Sequence, residues 1–425
     1  MPPSATHPVG ISERRLVFLI GAVQFTNILD FMIVMPLGPD FALALDIPSS
    51  QIGLVGGAYT AAAAIAGIAG AFFLDRFDRR RALAVALAGL VLGTLAGGFA
   101  TGLGTLLAAR VVAGAFGGPA TALALAIVSD AVPPDRRGRA MGAVMGAFSV
   151  ASVLGVPAGL ELARLAGWRA PFFTVAALGA IVAASVVAML PAQTAHLRRR
   201  LAPTPFREVL RRPVVMLALT GTAVASIAHF ALIPNLSAYF QFNRGYPREG
   251  LGLLYLVGGA VSFGTMRLAG WMADRHGVPA VSAGGALAFA AVLVWGFIYP
   301  SVWFPVLPVF VGFMVTGSFR FVPMQALWSR VPDASERARF MSAQSAMQHF
   351  ASAAGAMIGA QILTERADGG LAGMDDLAWA SVATTIVLPV LLYLVDRRVR
   401  ARERSEPAPA TPAENAAGAA PVTGA

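Results

Sequence analysis

The chain has 425 residues, 57% of them hydrophobic and 13% charged, with a mean hydropathy of +0.69. A soluble domain has no use for that much apolar surface, so the composition excludes one and points to a helical membrane protein. The net charge of +10 is carried by arginine alone, in short stretches that speak for membrane topology and against a nucleic-acid partner, and the absence of cysteine excludes disulfides, thiolate metal sites and thiol nucleophiles.

A span needs ~20 mostly apolar residues. Windows of that size predict helices near 16–39, 50–73, 82–100, 105–129, 139–163 and 170–190. A second set follows near 214–241, 250–271, 279–299, 303–328, 338–363 and 376–395. Residues 1–15 lead straight into an apolar run too long for a signal-peptide core, so the first helix reads as a retained span behind a cytoplasmic N-terminus. The stretch 191–213, with Arg198, Arg199, Arg200, Arg207, Arg211 and Arg212, is the expected cytoplasmic linker between a bundle over 16–190 and another over 214–395. Residues 396–425 run into Ala, Pro, Gly and Glu and are expected to form a disordered tail. With the N-terminus inside, 24 arginines fall on the inner side, 5 outside and 3 within spans. That bias predicts a multi-pass protein of the cytoplasmic (inner) membrane with both termini in the cytoplasm.

The two sets repeat one another. Asp75-Arg76 and Asp274-Arg275 are 199 positions apart, and so are Val132-Pro133 and Val331-Pro332. Arg139-Ala-Met141 and Arg339-Phe-Met341 are offset by 200. Two similar six-helix halves imply parallel repeats about an axis along the membrane normal, with a site between them near the midplane.

An ionised side chain inside a span costs ~2.5–3.5 kcal/mol on insertion scales, so such residues are functional candidates by default. Asp30 lies ~22 Å into the membrane from Arg15, and Arg110 ~9 Å in from the opposite side. In a core of ~30 Å they reach similar depths and are expected to pair. The pair reads either as a proton carrier, with Arg110 holding Asp30 ionised until a conformational switch, or as a static, satisfied contact. Gln24, Asn27 and Asp30 share one helical face, expected to line a polar substrate cavity unless it serves interhelical hydrogen bonding. Thr222, Ser226 and His229 share a face of the seventh predicted helix, and His229 stands 199 positions after Asp30. It is either a second coupling residue or a plain hydrogen-bonded histidine. Gln344, Gln348 and His349 form a weaker cluster, for substrate contact or packing. Arg267 and Arg320 are expected to support the adjoining loop or to snorkel to the cytoplasmic interface.

Asp75 and Asp274 are expected to begin the following helices, where a carboxylate meets the positive helix end. Arg76, Arg79, Arg80 and Arg275 are expected to pair with acidic groups or helix C-termini across the cytoplasmic surface. Gly114, Gly117 and Gly118, and Gly155 and Gly159 around Pro157, allow close backbone approach and a bend.

These residues carry a resemblance to the major facilitator superfamily over the whole membrane region. Its loop signature is G-x-x-x-D-R-x-G-R-K/R. Gly270, Asp274, Arg275 and Gly277 match it, while the first copy keeps Asp75, Arg76, Arg79 and Arg80 but has Ala71 and Asp78 at the usual glycines. Leu107 to Gly114 is similar to the family's L-x-x-R-x-x-x-G element. Gly155-Val-Pro-Ala-Gly159 followed by Gly167-Trp-Arg169 resembles the helix-five element of arabinose-efflux and drug-efflux permeases. The resemblance implies an all-α fold of twelve transmembrane helices in two pseudo-symmetric bundles. It also implies alternating access, proton-coupled export of a drug or sugar-like solute, loops that bias the outward-facing state, and a helix-five element that seals against leak. The expected partners are a small-molecule substrate, the proton and the bilayer; the chain is expected to be a monomer with no cofactor, driven by the proton gradient. An importer or facilitator of the same fold is the alternative. A receptor or enzyme is the weaker one, since five scattered histidines offer no metal cluster and no P-loop is present.

Overall fold

The computed structural model describes residues 11–194, 210–300, 305–332 and 337–405, without the side chains of 71–73, 75, 134, 135, 337, 338 and 405. Among them are twelve long helices. The first six are α1 Glu13–Val34, α2 Ile52–Phe73, α3 Arg79–Gly98, α4 Leu103–Ala131, α5 Arg136–Ala166 and α6 Ala170–Met189. The second six are α7 Pro213–Asn243, α8 Leu251–His276, α9 Val278–Ile298, α10 Val306–Trp328, α11 Arg337–Ile362 and α12 Met374–Ser405. A short helix, Gly38–Leu45, follows α1, and a two-stranded antiparallel hairpin pairing Thr364 with Ala372 and Glu365 with Leu371 links α11 to α12. Eleven helices are long and apolar enough to cross a membrane. α11 is the long helix outside that set, because it carries Gln344, Ser345, Gln348, His349 and Ser352 along its length. In lipid a helix satisfies its own backbone, so apolar runs of this length fold this way.

Local signals place the helix ends. Ser12 caps α1 through the Arg15 amide at 3.4 Å, and Asp78 caps α3 through the Arg80 amide at 3.1 Å. α6, α7 and α9 each begin with a proline in the first turn, where no amide donor is needed. Gly277 joins α8 to α9 with φ +87°, a left-handed backbone that a side chain resists.

The packing repeats as the sequence does. In the first half α4 packs on α2 and α3, and α6 on α3 and α1; in the second, α10 packs on α8 and α9, and α12 on α9 and α7. The halves meet along α2 with α11 and along α5 with α8. Away from the end bearing the chain termini, residues of both halves form one apolar core, including Leu29, Ile33, Phe41, Leu232, Phe240, Leu251 and Phe310. Towards the terminal end each half has its own core, around Leu87 and Ile127 in the first and Leu327 and Leu388 in the second. Hydrogen bonds between the halves also lie at the far end. The Ser49 amide donates to Glu365 Oε2 at 2.7 Å, and Arg248 Nε to Asp40 Oδ1 at 2.7 Å. Arg248 Nη2 also donates to the Leu160 carbonyl at 3.2 Å. Burial lifts Asp40 above the usual carboxylate range, with Arg248 pulling it down. The halves are thus closed against each other at the far end.

Helix ends differ from the sequence expectation at α1, which stops at Val34 and not at 39, at α8, which runs to His276 and not to 271, and at α12; α5 differs in its interior. α5 is not one regular helix: Pro157 has no amide to donate, and a π-helical segment, Ala151–Gly155, precedes it. α12 continues to Ser405, past the expected end at 395, so the first part of the expected disordered tail is helical. Most of the expected linker 191–213, residues 1–10 and residues 406–425 lie outside the described residues.

Candidate functional site

The first half buries an ion pair at its centre. Asp30 on α1 and Arg110 on α4 are each 1% exposed. Arg110 Nη1 donates to Asp30 Oδ1 at 3.1 Å and Nη2 to Oδ2 at 3.0 Å, a bidentate fork. The Thr94 hydroxyl on α3 donates to Asp30 Oδ1 at 2.7 Å. The guanidinium lies 4.7 Å above the Tyr59 ring of α2. Gly114, one turn beyond Arg110, allows this: a Cβ there would sit 2.2 Å from the Tyr59 carbonyl oxygen, so only glycine lets α4 approach α2 so closely. Two charges taken out of water are tolerated only when hydrogen bonds satisfy them, and here four elements supply the contacts.

The neighbouring polar residues extend this network. Tyr59 Oη donates to Asn27 Oδ1 at 2.8 Å, and Asn27 Nδ2 donates to the Gly117 carbonyl at 2.9 Å and to Thr121 Oγ1 at 2.5 Å. Asn27 is 4% and Gln24 1% exposed, and Gln24 Oε1 has no hydrogen-bond partner. The expectation that Gln24, Asn27 and Asp30 line an open cavity is therefore corrected. The face turns into the first bundle, where Tyr59, Thr94, Arg110 and Thr121 offer partners that an apolar neighbour would not. Tyr59, Thr94 and Thr121 lie on three different helices, and no spacing in the sequence links them to Asp30.

The second half is built differently. At the repeat offset of 199, Val309 on α10 takes the place that Arg110 has on α4. His229 on α7 stacks on Phe313, with ring centroids 5.4 Å apart and planes 10° apart. Where one half has a charge pair, the other has an aromatic stack, and His229 and Asp30 do not touch. Phe230 meets Phe31 of α1 across the seam at 6.0 Å. Thr222 is not a cavity residue: its hydroxyl accepts from Trp328 Nε1 at 3.0 Å and donates to the Ala218 carbonyl at 3.1 Å, both buried contacts. Ser226 is buried on the same helix. Gln344 Nε2 donates to Gln325 Oε1 at 2.6 Å, while Gln348 and His349 are half-buried, with His349 Nδ1 2.9 Å from the Ser345 carbonyl of its own helix.

Of the two arginines expected to support the loop or to snorkel, Arg267 is exposed, as that expectation needs, whereas Arg320 is buried on an aromatic ring. Arg267 lies 4.5 Å from the Phe263 centroid. Arg320 is 4% exposed and lies 4.3 Å above Phe289.

The signature loops differ from each other. Arg79 bonds the Asp130 carboxylate and, at 3.2 Å, the Ala126 carbonyl near the end of α4. Arg80 bonds the Val187 carbonyl near the end of α6. These are the expected contacts to an acidic group and to helix C-termini. The cap on α3, however, is Asp78, which also accepts from the Gln193 amide at 2.7 Å. The side chain of Asp75 lies outside the described residues, and Arg76 is exposed. Asp274 does not begin α9; it sits in the last turn of α8, one residue before Arg275, which lies 5.5 Å from the Trp271 ring. The reason is the left-handed turn at Gly277, which delays the break by three residues. Gly270 meets only Val322, at 3.9 Å from a built Cβ. Gly155 and Gly159, either side of Pro157, face Leu29 and Ile33 of α1.

Comparison with known proteins agrees with this architecture. The chain is similar to a chloramphenicol resistance protein of Streptomyces lividans, 30% identical over 280 residues, which are 64% of this chain and 70% of that one. It is also similar to the purine ribonucleoside efflux pump NepI of Escherichia coli O157:H7, 28% identical over 63% of this chain and 68% of that one. Among solved structures, a bacterial homologue of the human lysosomal transporter Spinster, inward-facing and unoccupied, superimposes with TM-score 0.71 at 17% identity. That match covers 96% of this chain and 100% of that one. The inward-open xylose transporter XylE from E. coli gives 0.68 at 14% identity, covering 90% and 96%. The family model described as "Major Facilitator Superfamily" matches residues 20–356. A duplicated bundle of twelve helices, a paired charge inside its first half and this match across most of the chain lead to one identification: the protein is a multi-pass membrane transporter, not an enzyme, and belongs to the Major Facilitator Superfamily.

Proposed function

We propose that the protein exports a small molecule across the cytoplasmic membrane by alternating access, in exchange for protons. The observation that carries this reading is the buried Asp30–Arg110 fork, beside a seam where the halves share a core at one end only. The arginine bias puts the terminal end in the cytoplasm, so the described state opens inward and is sealed outside by α2 with α11 and α5 with α8. Substrate enters from the cytoplasm between the halves. In this state the Arg110 fork holds the Asp30 carboxylate. As the halves rock, a shift of α1 against α4 inside the first half weakens the fork, and Asp30 then takes a proton from the outside. Return to the inward state restores the fork, and the proton leaves to the cytoplasm. No cofactor is needed beyond the proton gradient, and a monomer suffices. The relatives support the direction, since one is a resistance protein and another an efflux pump. A drug-like or sugar-like solute fits, and an importer or facilitator is the alternative.

The test uses inside-out vesicles with an imposed pH gradient and a substrate first identified by a panel in efflux-deficient cells, with and without an uncoupler. Asp30→Asn combined with Arg110→Gln keeps the bundle core uncharged. That variant is expected to lose gradient-driven accumulation while retaining downhill exchange. Undiminished gradient-driven accumulation removes Asp30 from the mechanism.

A further inference from the structure

Among the described residues, the second half contains a buried arginine with no acidic partner. Arg320 is 4% exposed, and its Nε and Nη2 have no hydrogen-bond partner. A guanidinium does not lose its proton in a protein, so it stays charged wherever it is buried. The sequence has no Asp or Glu from 213 to 243, from 251 to 273, or from 278 to 332, so α7, α9, α10 and nearly all of α8 provide no carboxylate for it. Arg110 in the first half has its own acid; Arg320 has only the Phe289 ring at 4.3 Å. A cation–π contact offsets only part of the cost of taking a guanidinium out of water.

The surroundings of Arg320 define a shape. Phe313, Gly317 and Arg320 lie at i, i+4 and i+7 on one face of α10. His229 packs against that face, with its Cε1 3.7 Å from where a Gly317 Cβ would be. Phe289 and Phe313 are 5.2 Å apart at 47°, and the His229 ring stacks on Phe313. Phe230, the next residue along α7, already touches the other half. The unpartnered cation therefore lies on a buried aromatic ring, one turn from the residue that packs on His229, whose neighbour Phe230 meets the first half.

We infer that Arg320, with Phe289, Phe313 and His229, is the substrate subsite for an oxyanion on an aromatic body, such as the carboxylate of an aromatic acid. The carboxylate accepts the guanidinium's free N–H groups in a bidentate fork, and the ring lies against the aromatic side chains. The missing counter-charge arrives with the cargo, so empty and loaded proteins differ in the charge balance of α10. This rests on the transport reading above but not on its proton coupling.

The experiment measures benzoate binding to the full-length protein in nanodiscs, by calorimetry and by thermal stabilisation. Wild type and the Asp30→Asn/Arg110→Gln variant are both expected to bind benzoate. Arg320→Gln is expected to weaken binding ~tenfold or more, the loss of charge-assisted hydrogen bonds, and Arg320→Lys to recover part of it. Removing an uncompensated charge leaves the fold intact, so Arg320→Gln should melt no lower than wild type, and Arg320→Met gives a second neutral replacement. Benzamide and benzylammonium, matched in size, are expected not to bind. Equal binding of benzamide, unchanged benzoate affinity in Arg320→Gln and Arg320→Met, or no benzoate binding by wild type overturns the inference. Inorganic phosphate that competes as well as benzoate overturns the aromatic part of it. Failure of the Asp30 transport test leaves these outcomes untouched, so the two readings fail separately.

Discussion

Cutting the Asp30–Arg110 fork one partner at a time, then both together, gives a prediction whose size follows from the structure. Each partner is 1% exposed, and the carboxylate accepts two arginine bonds and one from Thr94. Removing one member of a buried pair leaves a charge with no counter-ion and costs ~3–5 kcal/mol, whereas replacing both with neutral groups is often close to neutral. Asp30→Asn should therefore lower stability by ~3–5 kcal/mol, because Arg110 is left charged with only Tyr59 beneath it. Arg110→Gln should cost less, since a carboxyl can shed its charge by taking up a proton while a guanidinium cannot. The double variant should return to within ~1 kcal/mol of wild type, giving a coupling energy of at least ~2 kcal/mol. Unfolding of purified protein by SDS in mixed micelles measures all four corners of this cycle. A double variant as unstable as the sum of the singles would refute the reasoning, because it would mean the two charges do not stabilise each other.

Three further outcomes follow from the same geometry. Arg248→Ala removes both far-end bonds of that arginine and should shift the population towards the state open at the far end. The chain has no cysteine, so spin labels at Leu165→Cys and Tyr299→Cys report the separation of the outer ends without background, and an unchanged distance distribution counts against the contact. Asp40, lifted by burial when the far end is closed, binds its proton more tightly there than in water. Closure should therefore be favoured at pH below the ordinary carboxylate value of about 4 and weaken as pH rises through the raised one, and Asp40→Asn should abolish that dependence. Thr222→Val should cost ~1–3 kcal/mol by orphaning the Trp328 indole, read as a lower SDS midpoint; no change would mean the indole finds another acceptor.

The twelve helices, the doubled half and the Asp30–Arg110 pair were legible in the sequence for physical reasons. Apolar length sets a span, a repeat of charged turns survives at fixed offset, and two opposite charges at equal depth have few alternatives to pairing. The direction in which a polar face turns was not legible. Gln24, Asn27 and Asp30 share a face whether it meets water or protein, and only Tyr59, Thr94 and Thr121, scattered over three other helices, decide that it meets protein. Thr222 misled in the same way, because its partner Trp328 lies 106 residues downstream. Arg320 read as a snorkelling residue because distance along a helix says nothing about the ring it lies on.

The two halves share a backbone plan but divide the electrostatics unequally, and that division shapes how the transporter must work. Transport by rocking needs the energy of each state to depend on what is bound. In the first half the charge on Asp30 is balanced from within, and under the proposed coupling a proton is what changes the strength of the α1–α4 contact. In the second half no acid among the described residues bonds α10's buried Arg320, and under the inference above that cation responds to what enters the seam. Under the proposed coupling, a pair that answers to protons on one side and an unpartnered arginine that answers to cargo on the other would give the seam two independent handles. Were both halves internally balanced, or both aromatic, proton and cargo would have no separate groups through which to bias the same motion, and exchange of one for the other would need a shared site.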